Sequence, residues 1–386
     1  MAVRHLYVHI PFCRSRCAYC DFASEAVGPH ARAGRVEEYL EHLCAELAVF
    51  RPLLDTPMET IYLGGGTPAA LPRPELLALV QALAALQRPR SPGTPPAGAC
   101  GPAPPEFTME ANPGTVDAPL LQELASAGVT RLSLGVQSFS PQLRKALGRR
   151  VSQQDLETCL TALRCTGWAK WNVDLIHGIP GQTWEKAAAD IDRTIAAAPT
   201  HVSLYDLTYT SGYRDSVESS LGADAVEAAQ EFAEENYARA SARLVDAGYA
   251  RYEVSNFALP GHECRHNLAY WRGEDYLGIG AGAVSTIGGE RRTNQRSVVD
   301  YIAGAVPEVE VLDERTRTWE KAMLGLRTSV GVDEEEVRSV LDPVAEKRLL
   351  SQGCLEKRCG KLRLNPGFLD LSNSVISALL VSPEER

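Results

Sequence analysis

The 386-residue sequence lacks the features that mark membrane, secreted and nucleic-acid-binding proteins. No apolar run reaches the roughly 18 residues that indicate a membrane-spanning helix, so we predict no membrane span. The amino terminus lacks the basic-then-apolar layout of a signal peptide, and we therefore expect a cytoplasmic protein. Lys and Arg total 39 against 49 Asp and Glu, a net charge of −10. This excess of acid argues against a nucleic-acid groove spread over the surface, so we predict no nucleic-acid partner.

A disulfide framework is also excluded, because ten cysteines in a cytoplasmic chain of this size are seldom paired. Three of them are clustered in the segment YVHIPFCRSRCAYCDF, at Cys13, Cys17 and Cys20. No fourth cysteine follows in this segment. The spacing places three thiols on one loop directly after a short apolar run.

Three interpretations of this cysteine cluster are open. Thiolates at this spacing can converge on one iron–sulfur cluster, where three ligands leave one iron of a four-iron cube open to an external group. A structural zinc site needs a fourth ligand, which would be His9 or a distant residue. A thioredoxin-like motif would use only Cys17 and Cys20 and leave Cys13 unexplained. We favour the iron–sulfur interpretation.

Short β-type runs alternate with amphipathic helical segments over the first half of the chain. Six strands are predicted, at 5–10, 60–65, 106–111, 131–136, 170–178 and 201–207. Strands that are each followed by a helix form a parallel sheet with right-handed crossovers. Because the count falls short of eight, the α/β fold predicted is a partial, open (β/α)6 barrel.

The rest of the chain predicts two smaller units. A long helix from about 223 leads to a strand-like piece at 251–258, and beyond 300 helices dominate, with one hairpin at 355–365. We predict a barrel over 1–222, an extension over 223–300 and a small, mostly helical C-terminal domain over 301–386. The Pro/Gly-rich stretch 87–106 is predicted to be a mobile surface insertion.

The CxxxCxxC motif, with the aromatic Tyr19 before its last cysteine, resembles the radical S-adenosylmethionine (SAM) superfamily. Further segments resemble the branch that contains oxygen-independent coproporphyrinogen III oxidase and the HemW-type haem chaperone. These are GGGTP (64–68), EANP (110–113), LSLGVQSF (132–139), DLIHGIPGQT (174–183) and YEVSNFALPGHECRHNLAYW (252–271). The resemblance is strong over about 5–275 and loose beyond.

The resemblance implies a radical SAM barrel with a [4Fe-4S] cluster on the three cysteines and SAM beside it. The positions that match SAM contacts or neighbour the cluster are Tyr7, Tyr19, Gly65, Gly66, Thr67, Glu110, Gln137, Arg149 and Asp174, with Thr208 as a weaker match. Several of them also follow from the predicted strands, because side chains at the carboxyl ends of barrel strands converge on ligands. The glycines of GGGTP would let backbone N–H and C=O groups approach a ligand. The alternative for each residue alone is a hydrogen-bonded strand end.

Two departures separate this sequence from the oxidases of that branch. Phe22 stands where the oxidases carry a fourth cysteine, and only six residues precede Tyr7, where the oxidases have a long extension. Both departures argue against oxidase activity and resemble the haem-chaperone branch.

The segment HNLAYW (266–271) resembles the HNxxYW motif of the haem-chaperone branch. His266 offers an axial nitrogen for haem iron, Tyr270 and Trp271 offer flat faces, and Cys264 is a possible second ligand. The alternative is that His266 only satisfies backbone groups while Trp271 is part of the core. If the chain is a haem carrier, His266 should be reachable from solvent or from a cleft rather than locked in the core.

The favoured hypothesis is a haem chaperone that carries a [4Fe-4S] cluster and SAM, binds haem and passes it to an acceptor apoprotein. The alternative is an oxygen-independent coproporphyrinogen III oxidase, which would use the cluster, SAM and an electron donor to decarboxylate a porphyrinogen. A third class is a zinc-stabilised structural protein. The sequence names neither the acceptor nor the donor.

Overall fold

A computed structural model describes residues 3–26, 32–54, 58–87 and 104–381. Most of the predicted insertion at 87–106 lies outside these residues. The strands up to residue 206 are β1 (His5–Ile10), β2 (Phe12–Cys13), β3 (Glu25–Ala26), β4 (Thr60–Gly65), β5 (Glu106–Ala111), β6 (Arg131–Gln137), β7 (Trp171–His177) and β8 (His201–Asp206). The helices that accompany them are α1 (Arg32–Phe50), α2 (Arg73–Ala84), α3 (Ala118–Ala127), α4 (Pro141–Ala146), α5 (Gln153–Thr166) and α6 (Trp184–Ala197).

The second half of the chain contains shorter strands and one long helix of 22 residues. Its strands are β9 (Ala250–Arg251), β10 (Asn256–Ala258), β11 (Tyr276–Ile279), β12 (Val284–Ile287), β13 (Glu290–Thr293), β14 (Glu308–Val311), β15 (Val332–Asp333), β16 (Leu355–Arg358) and β17 (Lys361–Leu364). Its helices are α7 (Ser211–Leu221), α8 (Ala225–Asp246), α9 (Arg265–Trp271), α10 (Val298–Ile302), α11 (Glu314–Gly325), α12 (Glu334–Val337), α13 (Pro343–Ser351) and α14 (Ser372–Leu379).

The six predicted strands are confirmed to within one residue at either end. They lie side by side in the order β1-β4-β5-β6-β7-β8, and every neighbouring pair is parallel. Strands covered on both faces read as near-continuous apolar runs, and all seven residues of β6 are buried. The prediction of a partial (β/α)6 barrel with a small, mostly helical C-terminal part is therefore confirmed.

The sheet extends beyond the barrel at both edges, which the sequence analysis did not predict. β11 pairs parallel with β1, and β12, β13 and β14 follow as an antiparallel meander. A local signal for this meander was present, because Gly288 and Gly289 separate β12 from β13 and both have positive φ, as a tight hairpin requires. At the other edge β10 and β9 continue the sheet from β8.

Helix ends in the barrel follow their sequence signals. The Asp117 side chain accepts a hydrogen bond from the Leu120 N–H at the start of α3, at 2.7 Å. Ser152 and Asp155 form a reciprocal capping box at the start of α5. α5 ends at Gly167, whose φ of 63° is the left-handed conformation that glycine adopts at a helix end. These caps fix where the loops above the barrel begin and end.

The carboxyl-terminal part has an apolar core of its own. β15, β17 and β16 form a three-stranded antiparallel sheet, and the predicted hairpin at 355–365 is confirmed as β16 and β17. Helices α11 to α14 pack on this sheet around residues such as Leu326, Leu362 and Ile376. The exact domain boundaries remain predictions. Among the described residues, no helix combines the length and apolar character needed to cross a membrane.

Candidate functional site

The three clustered cysteines face a single cavity of about 540 Å³ at the carboxyl ends of the barrel strands. Cys13 ends β2, and Cys17 and Cys20 lie on the loop that follows. All three are half-buried free thiols. Within the described ranges, no three His, Cys, Asp or Glu side chains converge closely enough to hold a single metal ion. We call this space the thiol cavity.

Most of the residues predicted from the sequence line the thiol cavity together. They are Cys13, Cys17, Tyr19, Cys20, Gly65, Gly66, Thr67, Glu110, Gln137, Arg149, Asp174 and Thr208. Two predicted residues, Tyr7 and His266, are not among its lining. The family resemblance, supported by the strand-end argument for a few residues, therefore named most of the lining, and the two exceptions have structural reasons given below.

The cysteine loop is tied to the barrel by a chain of side-chain hydrogen bonds. Cys13 Sγ lies 3.5 Å from Thr67 Oγ1, which accepts a hydrogen bond from Asn112 Nδ2 at 2.7 Å. Asn112 Oδ1 in turn accepts from Arg149 Nη2 at 2.7 Å, and Arg149 Nη1 reaches Cys17 Sγ at 3.5 Å. These hydrogen bonds thus link Cys13 to Cys17. The sequence analysis missed Asn112, although the EANP segment contained it.

Two of the thiols, Cys13 and Cys20, are held in surroundings that favour their neutral form. Burial raises the pKa of Cys13, and the neighbouring Cys20 and Cys17 raise it further. Burial also raises the pKa of Cys20, with Cys17 contributing. Because metal binding deprotonates cysteine thiols, a bound cation would offset the raised pKa of Cys13 and Cys20.

Glu110 is a buried carboxyl group fixed in the cavity wall. It accepts hydrogen bonds from Tyr62 Oη at 2.8 Å and from the Gly65 N–H at 2.9 Å. Burial, and after it the charge of Asp174, raises the pKa of Glu110 to about 7. A Cβ at Gly64 would lie 2.9 Å from the Glu110 carboxyl, so this position needs glycine. Glu110 is therefore poised to exist in either protonation state near neutral pH.

The glycines of GGGTP have a different role from the one predicted. The N–H groups of Gly65, Gly66 and Thr67 are bonded to Glu110 Oε2, Ile10 O and Phe12 O, so the expectation that they are free is wrong. Close packing explains the glycines instead. A Cβ at Gly65 would lie 2.4 Å from the His9 ring, and one at Gly66 would lie 2.7 Å from Ile10 O. These glycines bring the end of β4 against the cysteine loop.

Gln137 has a strained backbone at the end of β6. Its φ is 62°, the left-handed region that residues other than glycine seldom adopt, and the pairing of β6 with β7 is irregular between Gly135 and Gln137. The side chain is buried, and its Oε1 has no hydrogen-bond partner among the described residues. A strained residue with an unsatisfied polar atom facing a cavity indicates a ligand contact.

Asp174 lies within β7, one strand further along the cavity wall. Its carboxylate accepts hydrogen bonds from Asn172 Nδ2 at 2.6 Å and from Ser133 Oγ at 3.3 Å. Burial raises the pKa of Asp174. The buried carboxyl group is therefore held by polar neighbours of the same sheet, as buried polar groups require.

Tyr7 lines a neighbouring space of about 530 Å³ on the inner side of β1 and β11, which we call the lateral cavity. Its lining consists of Tyr7, His9, Asp21, Phe22, Ala23, Glu110, Tyr270, Tyr276, Gly282, Val284 and Arg296. Asp21, Phe22 and Glu110 also line the thiol cavity, so the two spaces adjoin. Tyr7 Oη lies 3.0 Å from His9 Nδ1, whose ring also contacts the carbonyl of Ala23.

The expectation that His266 is reachable from solvent or a cleft is wrong in this structure, because its side chain is only 1% exposed. Helix α9 packs at the amino ends of β4 and β5, opposite the cysteine loop. There His266 Nδ1 lies 2.8 Å from Thr60 Oγ1, and Nε2 lies 2.9 Å from Tyr270 Oη. Burial lowers the pKa of His266 to about 3. Both ring nitrogens are thus engaged, and the imidazole is neutral.

Cys264 is enclosed in the same way. It is fully buried directly before α9, and its Sγ lies 3.6 Å from Glu106 Oε1. Glu106 also accepts hydrogen bonds from the backbone N–H groups of Arg265 and His266. In this conformation neither Cys264 nor His266 is open to a haem iron, because both serve to fix α9 in the barrel.

The family relationship follows from sequence comparison. The profile of the Radical SAM superfamily matches residues 7–193. A relative from Synechocystis sp., named "Heme chaperone HemW", is 35% identical over 86% of this chain and 80% of its own length. Another of the same name from Lactococcus lactis is 32% identical over 97% of both chains. The chain belongs to the HemW family of the radical SAM superfamily. Members of the HemW family therefore match this chain well beyond the barrel.

A solved structure confirms the fold of this HemW family member. Coproporphyrinogen III oxidase (HemN) from Escherichia coli, described as a radical SAM enzyme, superposes with a TM-score of 0.77. The alignment covers 98% of this chain and 90% of the oxidase at 21% sequence identity. At this identity the likeness establishes a shared fold and leaves the activity to be argued from the site.

Proposed function

We propose that this protein is a haem chaperone, which binds haem and transfers it to an acceptor apoprotein while carrying a [4Fe-4S] cluster and SAM. The observation that carries the proposal is the match to relatives named heme chaperone, one of which aligns over 97% of both chains. Phe22, on the cysteine loop between the two cavities, supports the chaperone over the oxidase. It stands where the oxidases, by the resemblance above, carry a fourth cysteine.

The residues of the thiol cavity fit the two cofactors that the superfamily implies. Cys13, Cys17 and Cys20 would hold the cluster, which with SAM supplies one-electron chemistry when bound. The cavity beside the thiols has room for a ligand of SAM's size, since small-molecule sites span roughly 300–1,000 Å³. The unsatisfied Gln137 Oε1 offers an acceptor to such a ligand.

Glu110 and Asp174 would bind the positively charged parts of SAM. Their carboxyl groups are buried and close enough for the charge of Asp174 to raise the pKa of Glu110. A cationic ligand between them would relieve this repulsion and hold both groups ionised. Arg149, fixed on Asn112 and the Gly135 carbonyl, would keep Cys17 in place while offering its charge to an anionic group.

The test is anaerobic reconstitution with iron and sulfide, followed by two titrations. Ferric protoporphyrin IX (hemin) should bind near one equivalent per chain, seen by its Soret band. The hemin-loaded protein should then deliver hemin to a haem-free acceptor apoprotein. An immobilised scavenger that captures free hemin should slow this delivery only slightly. The same scavenger should strongly slow delivery from a solution of free hemin. Absence of hemin binding by the reconstituted protein would refute the proposal.

A further inference from the structure

The lateral cavity shares Asp21, Phe22 and Glu110 with the proposed cluster and SAM site, but the rest of its lining is separate. Its inner wall is formed by β1 and β11, its floor by α9 and its rim by the cysteine loop and residue 296. Its volume of about 530 Å³ falls within the range of small-molecule sites. Because it adjoins the thiol cavity at Phe22 and Glu110, a ligand here would lie next to the cluster loop.

Aromatic rings form much of this cavity. Tyr270 and Tyr276 pack edge to face with their centroids 4.4 Å apart, and Tyr7 projects from the neighbouring β1. Phe22 stands on the rim with 60% of its surface exposed, which is unusual for phenylalanine. Several aromatic side chains around one open space match a flat, apolar ligand, because ring faces and edges pack well against an extended π-system.

An exposed arginine at the rim of this cavity offers a cation to an anionic ligand edge. Arg296 lies at the rim with its side chain 62% exposed, and it contacts the Asp21 carbonyl and carboxylate. Among the described residues that line this cavity, Arg296 is the one with a fixed positive charge. Asp21 and Glu110 are acidic, and His9 is buried. A carboxylate entering at the rim would compete with Asp21 for the guanidinium.

We infer that the lateral cavity binds the porphyrin plane of haem, with Arg296 pairing a propionate and Tyr7, Phe22, Tyr270 and Tyr276 packing on the macrocycle. This inference rests on the proposed function, since it names where that haem sits. Tyr270 lies on α9 and lines the cavity, and its hydroxyl is 2.9 Å from His266 Nε2 on the same helix. The HNLAYW segment then contributes a wall of the site through Tyr270, while its histidine stays in the core.

The experiment compares two arginines of similar exposure that line different spaces. Arg296 lines the lateral cavity, whereas Arg272 lines a separate space beside Trp271 and is 59% exposed. Arg296→Ala should weaken hemin binding about twofold to fivefold, because one exposed charge pair is lost. Arg296→Lys should recover most of the affinity, and Arg272→Ala should bind as the wild type does.

Two further measurements separate a binding role from a folding defect. Protoporphyrin IX dimethyl ester has no free propionates, so Arg296→Ala should change its affinity by less than about twofold. Tyr276→Ala should weaken both porphyrins about tenfold, while Tyr276→Phe keeps the ring face and should bind normally. Iron and sulfide content should stay at the wild-type level in every variant, which reports that the cysteine loop is intact.

The outcomes distinguish this inference from the function on which it rests. If wild-type protein binds hemin but Arg296→Ala and Tyr276→Ala bind equally well, the lateral cavity is not the site and the chaperone proposal stands. The lateral cavity is likewise excluded if Arg272→Ala weakens binding as much as Arg296→Ala. If wild-type protein binds no hemin, both proposals are refuted.

Discussion

Arg149 Nη1 lies 3.5 Å from Cys17 Sγ, although 132 residues separate the two in sequence. The same guanidinium donates to Asn112 Oδ1 and to the Gly135 carbonyl, so the arginine is fixed by the barrel rather than by the loop. A loop with little regular structure is thereby positioned against a rigid sheet. This contact places a fixed positive charge beside one proposed cluster ligand.

We predict that Arg149→Met lowers the reduction potential of the reconstituted cluster by tens of millivolts. Removing a cation near a thiolate ligand disfavours the reduced, more negative cluster. The potential is measured by redox titration followed by electron paramagnetic resonance. Arg150→Met is the matched control, because the neighbouring Arg150 does not line the thiol cavity. An unchanged potential in Arg149→Met would contradict the role given to this contact.

Cys17→Ala should abolish the brown chromophore of the reconstituted protein. Each thiolate supplies one of only three protein ligands, so the loss of one leaves two irons of the cube without a protein ligand. Iron and sulfide analysis after anaerobic purification is the measurement. Cys165→Ala, which removes an exposed cysteine of α5, should keep wild-type iron content. Full iron content in Cys17→Ala would rule out the ligand assignment.

Glu110→Ala should weaken SAM binding at least tenfold and leave the iron content unchanged. The substitution removes a buried carboxylate proposed to bind the positive part of SAM, and such charge-assisted contacts are strong. Glu110→Gln keeps one acceptor oxygen, for either Tyr62 Oη or the Gly65 N–H, and its SAM affinity should fall between those of the wild type and Glu110→Ala. Equilibrium dialysis with SAM measures the affinity. Equal SAM affinity in the wild type, Glu110→Ala and Glu110→Gln would exclude Glu110 from the SAM site.

The barrel could be predicted from the sequence because its signals are local. Apolar runs, turns and helix periodicity act within a few residues, and they located the six parallel strands to within one residue. Strand ends then placed Glu110 and Gln137 on one cavity, since parallel strands share one carboxyl edge.

The remaining features depend on contacts between distant residues. The N–H groups of Gly65 and Gly66 are taken by residues of β1 and β5, which the GGGTP segment cannot reveal. Burial of His266 depends on the partners Thr60 and Glu106, which lie more than 150 positions away. The role of Asn112 as a link between Thr67 and Arg149 has the same origin.

Acid should destabilise this protein through its buried neutral histidines. Burial lowers the pKa of His266 to about 3 and that of His177 to about 4, whereas an unfolded histidine titrates near 6.5. The unfolded state therefore binds more protons than the folded state below pH 6.5. Stability is fully present above that pH and falls as the pH drops toward 3, by up to about 1.4 kcal/mol per pH unit for each histidine.

The contribution of His266 to this acid sensitivity can be measured by urea unfolding between pH 7 and pH 4.5. His266→Gln should flatten the pH dependence of the unfolding free energy, because it removes the titrating imidazole. It should also lower the unfolding free energy at pH 7, because the hydrogen bonds of the ring with Thr60 and Tyr270 are lost. His42→Gln, at a half-buried histidine of α1, is the control. A parallel pH curve in His266→Gln would show that His266 does not titrate as described.

The last prediction separates a haem carrier from a porphyrinogen oxidase. Phe22 lies between the thiol cavity and the lateral cavity and is 60% exposed, where the oxidases carry a cysteine by resemblance. An apolar ring there offers packing to a porphyrin but neither a thiol ligand nor a proton. We therefore expect no detectable decarboxylation of coproporphyrinogen III with cluster, SAM and reductant all present, as followed by chromatography of the oxidised porphyrins. Phe22→Ala should weaken hemin binding severalfold and still give no decarboxylated product. Steady turnover by the wild-type protein would make the oxidase the correct assignment.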